Sequence, residues 1–203
     1  MNPRKLFLAS ASPRRAEILR TLGLRIQVIT SPAPEVRRPL EKPRDYVMRM
    51  AEEKARRAAN RVKRGGVVIS ADTTVVAGEE VLEKPANKED ATRMLKLLSG
   101  RTHTVISGVA LCDTRTGALT KGFETTEVTF AQMSDEEIAW YVESGEPMDK
   151  AGAYAIQGLA SMFIRGIRGS HFNVMGLPLR RLYELFVDAG VDLQAYVKQQ
   201  KRT

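Results

Sequence analysis

The amino-acid sequence predicts an α/β protein with an elongated mixed sheet and flanking helices. In the first half of the chain, apolar runs typical of buried strands alternate with helical patterns. Two runs in the middle, Thr102–Cys112 and Glu124–Phe130, follow one another with no helix between them. The 203 residues, 43% of them hydrophobic and 28% charged, suffice for a complete core. We therefore expect one α/β domain over residues 1–203.

Two strands and an intervening helix are predicted near the start of the chain. Lys5–Ala9 is an apolar run with the length of a buried strand. Ser12 is a favourable N-cap and Pro13 suits the first helical position, so a helix should begin there and end near Gly23. Ile26–Ile29 predicts the second strand.

The next segment is predicted to contain a loop, a long helix and a strand. Three prolines between residues 31 and 39 indicate an irregular loop. An amphipathic pattern predicts a helix over Pro43–Lys63, ended by Gly65 and Gly66. Val67–Ala77 then predicts a buried strand with an aspartate in its middle.

The middle of the chain is predicted to be rich in strands. Glu79–Pro85 should form a loop or hairpin, and Asn87 should cap a helix that ends at Ser99-Gly100. The strand over Thr102–Cys112 is expected to be interrupted at Gly108.

Two further helices, a strand and a polar tail complete the predicted elements. Ser134–Glu137 has the pattern of a capping box and predicts a helix through Val142. Ser161–Ile167 predicts a strand, and Leu177–Ala189 predicts the last amphipathic helix. Residues 194–203 are polar and expected to fray.

Charge and cysteine content narrow the classes of partner and site. The net charge of +8 suits an anionic partner: a nucleotide, a nucleic acid or an acidic membrane surface. Cys112 is the one cysteine in the sequence, which excludes an intramolecular disulfide and a cysteine-based zinc site, and we expect it to be buried. His103 and His171 lack the spacing of metal ligands. No apolar run approaches the ~20 residues that cross a bilayer, so we expect a reduced, cytoplasmic protein with no membrane partner.

The stretch Ser10-Ala-Ser-Pro-Arg-Arg15 concentrates positive charge where the first strand meets the first helix. The N–H groups of a helix N-terminus, the donor forks of Arg14 and Arg15 and the hydroxyl of Ser10 together suit a phosphate. An ordinary capped helix with two solvated arginines would have the same pattern. No P-loop or dinucleotide-binding glycine motif is present, so phosphate binding here requires another arrangement.

Asp72 lies between the runs Val-Val-Ile and Thr-Val-Val of a strand predicted to be buried, where an unpaired carboxylate would cost several kcal/mol. It therefore requires a basic partner or a metal ion. Glu35, in the proline-rich loop, is the best candidate for a second oxygen ligand if a hard cation such as Mg²⁺ binds.

Three further polar residues are candidates for substrate contacts. Lys54 lies in a highly charged helix, where a solvated face is the simpler interpretation, and Lys84 follows no periodic pattern. Gln157 lies among small residues that let a ligand approach the backbone, and its amide can both donate to and accept from a base edge; a tight turn is the alternative.

Six stretches in this order carry a resemblance to a known family: Ser10-Ala-Ser-Pro-Arg-Arg15, Ser70-Ala-Asp-Thr73, Leu82-Glu-Lys-Pro85, Leu98-Ser-Gly-Arg-Thr-His103, Asp149-Lys-Ala-Gly-Ala-Tyr-Ala-Ile-Gln-Gly158 and Gly176-Leu-Pro-Leu179. The chain resembles the Maf family of septum-formation-inhibitor-like nucleoside triphosphate pyrophosphatases from about Leu6 to Leu185. The resemblance implies two lobes around a cleft, as in inosine triphosphate pyrophosphatases.

The resemblance also implies hydrolysis of a nucleoside triphosphate to the monophosphate and pyrophosphate with Mg²⁺ or Mn²⁺. It assigns the catalytic acid/base role to Asp72. The substrate-binding residues that it implies are Ser10, Arg14, Arg15, Lys54 and Lys84. We expect Asp72, with Glu35, to be the metal ligands, and Asp72 is expected to orient or deprotonate the attacking water.

Substrate preference is implied at three positions. Arg15, Thr73 and Gln157 match the branch that resembles dTTP/UTP pyrophosphatases, whereas the 7-methyl-GTP branch differs at the last two. Ser70 stands where the family motif more often has glycine, and its small side chain is expected to have no effect. The resemblance further implies a house-cleaning role against non-standard nucleotides.

Other functions remain open from the sequence. A 7-methyl-GTP pyrophosphatase is the nearest enzymatic alternative. The basic stretch Arg56–Arg64 would suit a nucleic-acid-binding protein, but the 6% aromatic content and the lack of a groove-entering motif argue against stable nucleic-acid binding. A regulator of cell division is a third alternative. The sequence leaves the oligomeric state open, with a homodimer among the options.

Overall fold

The computed structural model describes residues 4–30, 34–62 and 65–197. The strands are β1 (Lys5–Ala9), β2 (Ile26–Val28), β3 (Gly66–Ala77), β4 (Glu80–Leu82), β5 (Thr102–Asp113), β6 (Leu119–Phe130) and β7 (Ile164–Arg168). The α-helices are α1 (Pro13–Thr21), α2 (Pro43–Ala59), α3 (Lys88–Leu98), α4 (Asp135–Glu143), α5 (His171–Val174) and α6 (Leu179–Asp188). Short 3₁₀ segments cover Glu146–Asp149, Ala151–Ala153, Leu159–Phe163 and Leu193–Tyr196.

The strands form one mixed sheet, which confirms the predicted α/β fold class. The strand order is β2-β1-β3-β5-β6-β7, with β4 paired to β3. β1 pairs in parallel with β2 and β3, whereas the β3–β4 and β6–β7 pairs are antiparallel. By their internal contacts the residues fall into two compact units, which are described separately below.

The first unit comprises residues 1–72, 107–124 and 176–203. Helices α1 and α2 connect its parallel strands, as crossover connections between parallel strands require. Small side chains on α2 let the helix lie close to the sheet, where they pack in a buried cluster with strand residues. That cluster contains Phe7, Ala9, Ala51, Ala55, Ala58, Val68, Ala110 and, as predicted, Cys112.

The second unit comprises residues 73–106 and 125–175. Its core joins the faces of α3 and α4 to β5, β6 and the 3₁₀ segments, with Leu95, Phe130 and Tyr141 almost completely buried. The two helix caps predicted in this unit, Asn87 and Ser134, are confirmed. The Asn87 side chain accepts a hydrogen bond from the Asp90 N–H at 2.8 Å, and Ser134 with Glu137 forms a capping box.

Two boundaries in the first unit differ from the sequence prediction. Helix α2 ends at Ala59 rather than Lys63, which lies outside the described residues, because the chain turns at Asn60 before β3 begins. Strand β5 is continuous through Gly108 instead of interrupted there. A Cβ at Gly108 would lie 2.4 Å from the Val47 carbonyl oxygen, so this glycine lets α2 approach the strand.

Other predicted elements are displaced at their ends. Helix α1 begins at Pro13 as predicted, but the Ser12 hydroxyl makes no capping hydrogen bond. Residues 161–163 belong to a 3₁₀ segment, so β7 starts only at Ile164, and β6 begins at Leu119 rather than Glu124. Residues 31–33 of the proline-rich loop and 198–203 of the predicted tail lie outside the described ranges. Within those ranges, no helix is long and apolar enough to cross a membrane.

Candidate active site

Two neighbouring parallel strands bring the predicted cationic stretch close to the predicted acid. In the β1–β3 pairing Ala9 lies opposite Ser70, so Ser10 leaves β1 beside the part of β3 that carries Asp72. β3 continues to Ala77, so Asp72 lies within its strand, next to the carboxyl end of β1, and ligands of α/β proteins bind outside the carboxyl ends of parallel strands. Ser10 and Asp72 are both buried, with 7% of each residue exposed.

The guanidinium of Arg15, in the first turn of α1, is held by hydrogen bonds to three oxygen atoms of the protein. Its Nη1 donates to the Ala71 carbonyl at 2.8 Å and to Ser10 Oγ at 3.2 Å, and its Nε donates to the Gly176 carbonyl at 2.7 Å. Burial lowers the pKa of the Arg15 guanidinium, and the negative charge of Asp72 opposes that shift. Arg15 therefore holds Ser10 in place and carries its positive charge beside the part of β3 that contains Asp72.

Lys54 joins the two carboxylates predicted to bind metal. Its Nζ lies 2.6 Å from Asp72 Oδ1 and 2.6 Å from Glu35 Oε1. Lys54 is 8% exposed, so it is not part of a solvated helix face. The basic partner that buried Asp72 requires is thus Lys54, while Glu35 reaches the same ammonium from an exposed loop position.

Ser70, whose side chain was expected to have no effect, joins strand β3 to helix α2. The Ser70 hydroxyl, completely buried, donates to the Ala51 carbonyl of α2 at 2.5 Å. Ser70 stands two residues before Asp72, and Ala51 one helical turn before Lys54. This hydrogen bond therefore helps to hold the strand with the acid against the helix with the base.

The two carboxylates predicted to bind a metal ion both contact the Lys54 ammonium. Two carboxylates converge on one positive charge there, and Mg²⁺ commonly takes one or two carboxylates together with water and substrate phosphates. Among the described residues no group of three or more histidine, cysteine, aspartate or glutamate side chains could hold a metal ion. Cation binding by Asp72 and Glu35 therefore stays a prediction.

Arg14, next to Arg15 in α1, is half-buried in the first unit, and the other predicted site residues belong to the second unit. Thr73 follows Asp72 in β3 and is half-buried, whereas Lys84 and Gln157 are exposed. The Gly152 N–H donates to the Glu83 carbonyl at 3.1 Å, which joins the segment of Lys84 to the segment that leads to Gln157. Contacts of these three side chains with substrate stay predictions.

Neither histidine belongs to this arrangement. His171 is exposed at the start of α5. His103 is 3% exposed; its Nε2 lies 2.8 Å from the Tyr154 hydroxyl and its ring packs edge-on against Phe130. Burial lowers the pKa of His103 to about 4, so the ring is neutral at physiological pH and serves packing.

Some contributions to the site could not be identified from residue type. The acceptors for Arg15 are backbone carbonyls of Ala71 and Gly176, and any residue could supply them. The sequence pointed to these two residues only indirectly, because both lie in stretches that carry the family resemblance. In the structure Gly176 adopts a positive φ of 98°, which favours glycine.

Comparison with known proteins identifies the family. The model of the Maf-like protein family matches residues 5–189. The chain belongs to the Maf-like protein family. The match extends over most of both compact units of this Maf-like protein and includes every predicted site residue.

Curated relatives of this Maf-like protein are similar over almost their whole length. A protein of Koribacter versatilis named dTTP/UTP pyrophosphatase is 50% identical over 186 residues, which cover 92% of this chain and 95% of that protein. One of Anaeromyxobacter dehalogenans with the same name is 50% identical over 198 residues, covering 95% and 97%. A solved HAM1 protein from Coxiella burnetii aligns over 91% of this chain and 99% of its own at 17% identity, with a TM-score of 0.49.

Proposed function

We propose that this Maf-like protein hydrolyses dTTP and UTP to the monophosphate and pyrophosphate. The names of relatives at 50% identity support the substrates. The observation that carries the proposal is the pair of carboxylates, Asp72 and Glu35, which Lys54 joins near the carboxyl end of β1, where Ser10 and Arg15 also lie. Acidic groups beside fixed positive charge are what phosphate-anhydride hydrolysis requires.

Asp72 is proposed as the residue that acts on the attacking water. Its buried carboxylate can accept a proton from water or orient it toward the α-phosphate. A divalent cation, Mg²⁺ or Mn²⁺, held by Asp72 and Glu35 would neutralise charge on the triphosphate. Lys54 holds both carboxylates at one point through its two contacts of 2.6 Å.

The cationic residues are proposed to bind the phosphates and stabilise the leaving pyrophosphate. Arg14 and Arg15 supply charge at the start of α1, Ser10 supplies a hydroxyl, and Lys84 contributes a further ammonium. Thr73 and Gln157 are proposed to discriminate the base together with Arg15. We assign to the enzyme a cytoplasmic house-cleaning role, the removal of non-standard nucleotides before they are incorporated.

A pyrophosphate-release assay tests this function. With Mg²⁺ or Mn²⁺, dTTP and UTP should be hydrolysed faster than CTP or 7-methyl-GTP, and omission of the cation should abolish release. Asp72→Asn should lower kcat by about 10²-fold or more, since a positioned acid/base group contributes that much. Asp188→Asn, at an exposed position at the end of α6, is the matched control and should retain full activity. Near-normal turnover by Asp72→Asn would contradict the assignment, and preference for 7-methyl-GTP would contradict the proposed specificity.

A further inference from the structure

The exposed Gln157 lies in a short turn whose two ends are tied to the same pair of side chains. The turn is closed by the Gly158 N–H, which donates to the Ala155 carbonyl at 3.0 Å. At its start, the Ala155 N–H donates to the Tyr141 hydroxyl at 3.2 Å. At its end, the Leu159 N–H donates to Glu146 Oε2 at 3.0 Å.

Tyr141 and Glu146 are themselves hydrogen-bonded, so the two anchors form one unit. The Tyr141 hydroxyl donates to Glu146 Oε1 at 2.8 Å, and the Ala160 N–H donates to the same oxygen at 3.4 Å. The glutamate thus accepts hydrogen bonds from the first two N–H groups of the 3₁₀ segment Leu159–Phe163. We name the Tyr141 hydroxyl and the Glu146 carboxylate the turn anchor.

The anchor is attached to rigid parts of the second unit. Tyr141 is 0% exposed on α4, and its ring packs edge-on against Phe163 at 6.3 Å. Ala155 and Ala160, at the two ends of the turn, are also buried. The core therefore fixes both ends of a turn whose middle residue, Gln157, is exposed.

Gly158 shows how closely the glutamate approaches the turn. A Cβ at this position would lie 2.2 Å from Glu146 Oε2 and 2.5 Å from its Cδ. With any other residue the carboxylate or the backbone of the turn would have to shift. The glycine beside Gln157 therefore permits this contact.

We propose that Tyr141 and Glu146 are positioning residues for substrate discrimination. They fix the turn so that the Gln157 amide meets the nucleotide base at one orientation. This rests on the proposed function, because it assumes that Gln157 contacts the base. An amide that discriminates by donating and accepting at one base edge must be held in place, since a mobile amide would match several bases equally well.

The test compares kcat and KM for dTTP and CTP in Tyr141→Phe, which removes one hydroxyl and keeps the ring. Loss of the two hydrogen bonds of this hydroxyl should raise KM for dTTP about fivefold and lower the dTTP/CTP ratio of kcat/KM by a similar factor, with kcat nearly unchanged. Glu146→Gln, which weakens acceptance from the Leu159 N–H and from the Tyr141 hydroxyl, should act in the same direction. Tyr183→Phe on α6, at an exposed tyrosine, is the matched control and should change neither constant.

A double-mutant cycle separates positioning from general stability. If the anchor acts through Gln157, Tyr141→Phe should have no further effect on the dTTP/CTP ratio in a Gln157→Ala background. An unchanged ratio in folded Tyr141→Phe and Glu146→Gln, or equal effects in both backgrounds, would overturn the proposal. Failure of the wild-type chain to hydrolyse dTTP or UTP would instead overturn the proposed function, and the positioning role with it.

Discussion

Replacement of Lys54 tests whether its contact with Asp72 stabilises the site as a buried ion pair. Lys54→Met keeps an unbranched chain of similar length and removes the ammonium. Asp72→Asn removes the opposite charge but retains a side-chain oxygen that can accept a hydrogen bond from Lys54. The double variant Lys54→Met/Asp72→Asn removes both charges.

The structure gives the expected size of each effect. The two side chains are 2.6 Å apart and each is 10% exposed, so water screens the pair little. Removal of one partner from such a pair costs about 3–5 kcal/mol, because a buried charge is left uncompensated. We expect Lys54→Met to reach this range. Asp72→Asn should cost less, since Lys54 keeps its contact with Glu35, whose side chain is 44% exposed.

Urea unfolding followed by circular dichroism at pH 7.5 without divalent cations measures these free energies. The double variant should recover part of the loss of Lys54→Met, with a coupling free energy of about 2 kcal/mol. Glu35→Gln, in the half-exposed contact to the same ammonium, serves as control and should cost less than about 1 kcal/mol. Single effects that add within about 0.5 kcal/mol in the double variant would refute the buried ion pair as the stabilising interaction.

Two further predictions concern stability. Gly108→Ala should lower the free energy of unfolding by about 3 kcal/mol, because the new methyl group would lie 2.4 Å from the Val47 carbonyl oxygen. The control Gly166→Ala, whose Cβ would have no atom within 4 Å, should change the free energy of unfolding by less than about 0.5 kcal/mol. Equal effects of the two variants in urea unfolding would contradict the close approach of α2 to β5. Since the folded pKa of His103 is about 4 against an ordinary 6.5, its neutral ring stabilises the fold fully above pH 6.5, and about 3 kcal/mol is lost as the pH falls from 6.5 to 4. His103→Gln should remove this part of the pH dependence and the exposed control His171→Gln should keep it; identical profiles for the wild type and both variants would exclude the depressed pKa.

The sequence by itself determined the features that depend on near neighbours. The start of α1 at Pro13, the Asn87 cap and the Ser134 capping box each involve groups within three residues of one another, so residue type and spacing suffice to predict them. The burial of Asp72 was likewise predictable, because apolar residues flank it on both sides in β3.

Only the tertiary structure decided what the candidate site residues contact. Lys54 meets Asp72 and Glu35 across 18 and 19 positions of sequence, and Arg15 meets the Gly176 carbonyl across 161. Such contacts depend on how the helices cross the sheet, which the residues next to Lys54 in sequence do not reveal. Because those neighbours are charged, they suggested that Lys54 belongs to a solvated helix face. Gly108 shows the same limit. A glycine within a strand pattern can mark an interruption of the strand or the close approach of a neighbouring helix, and only the backbone that packs against it distinguishes the two.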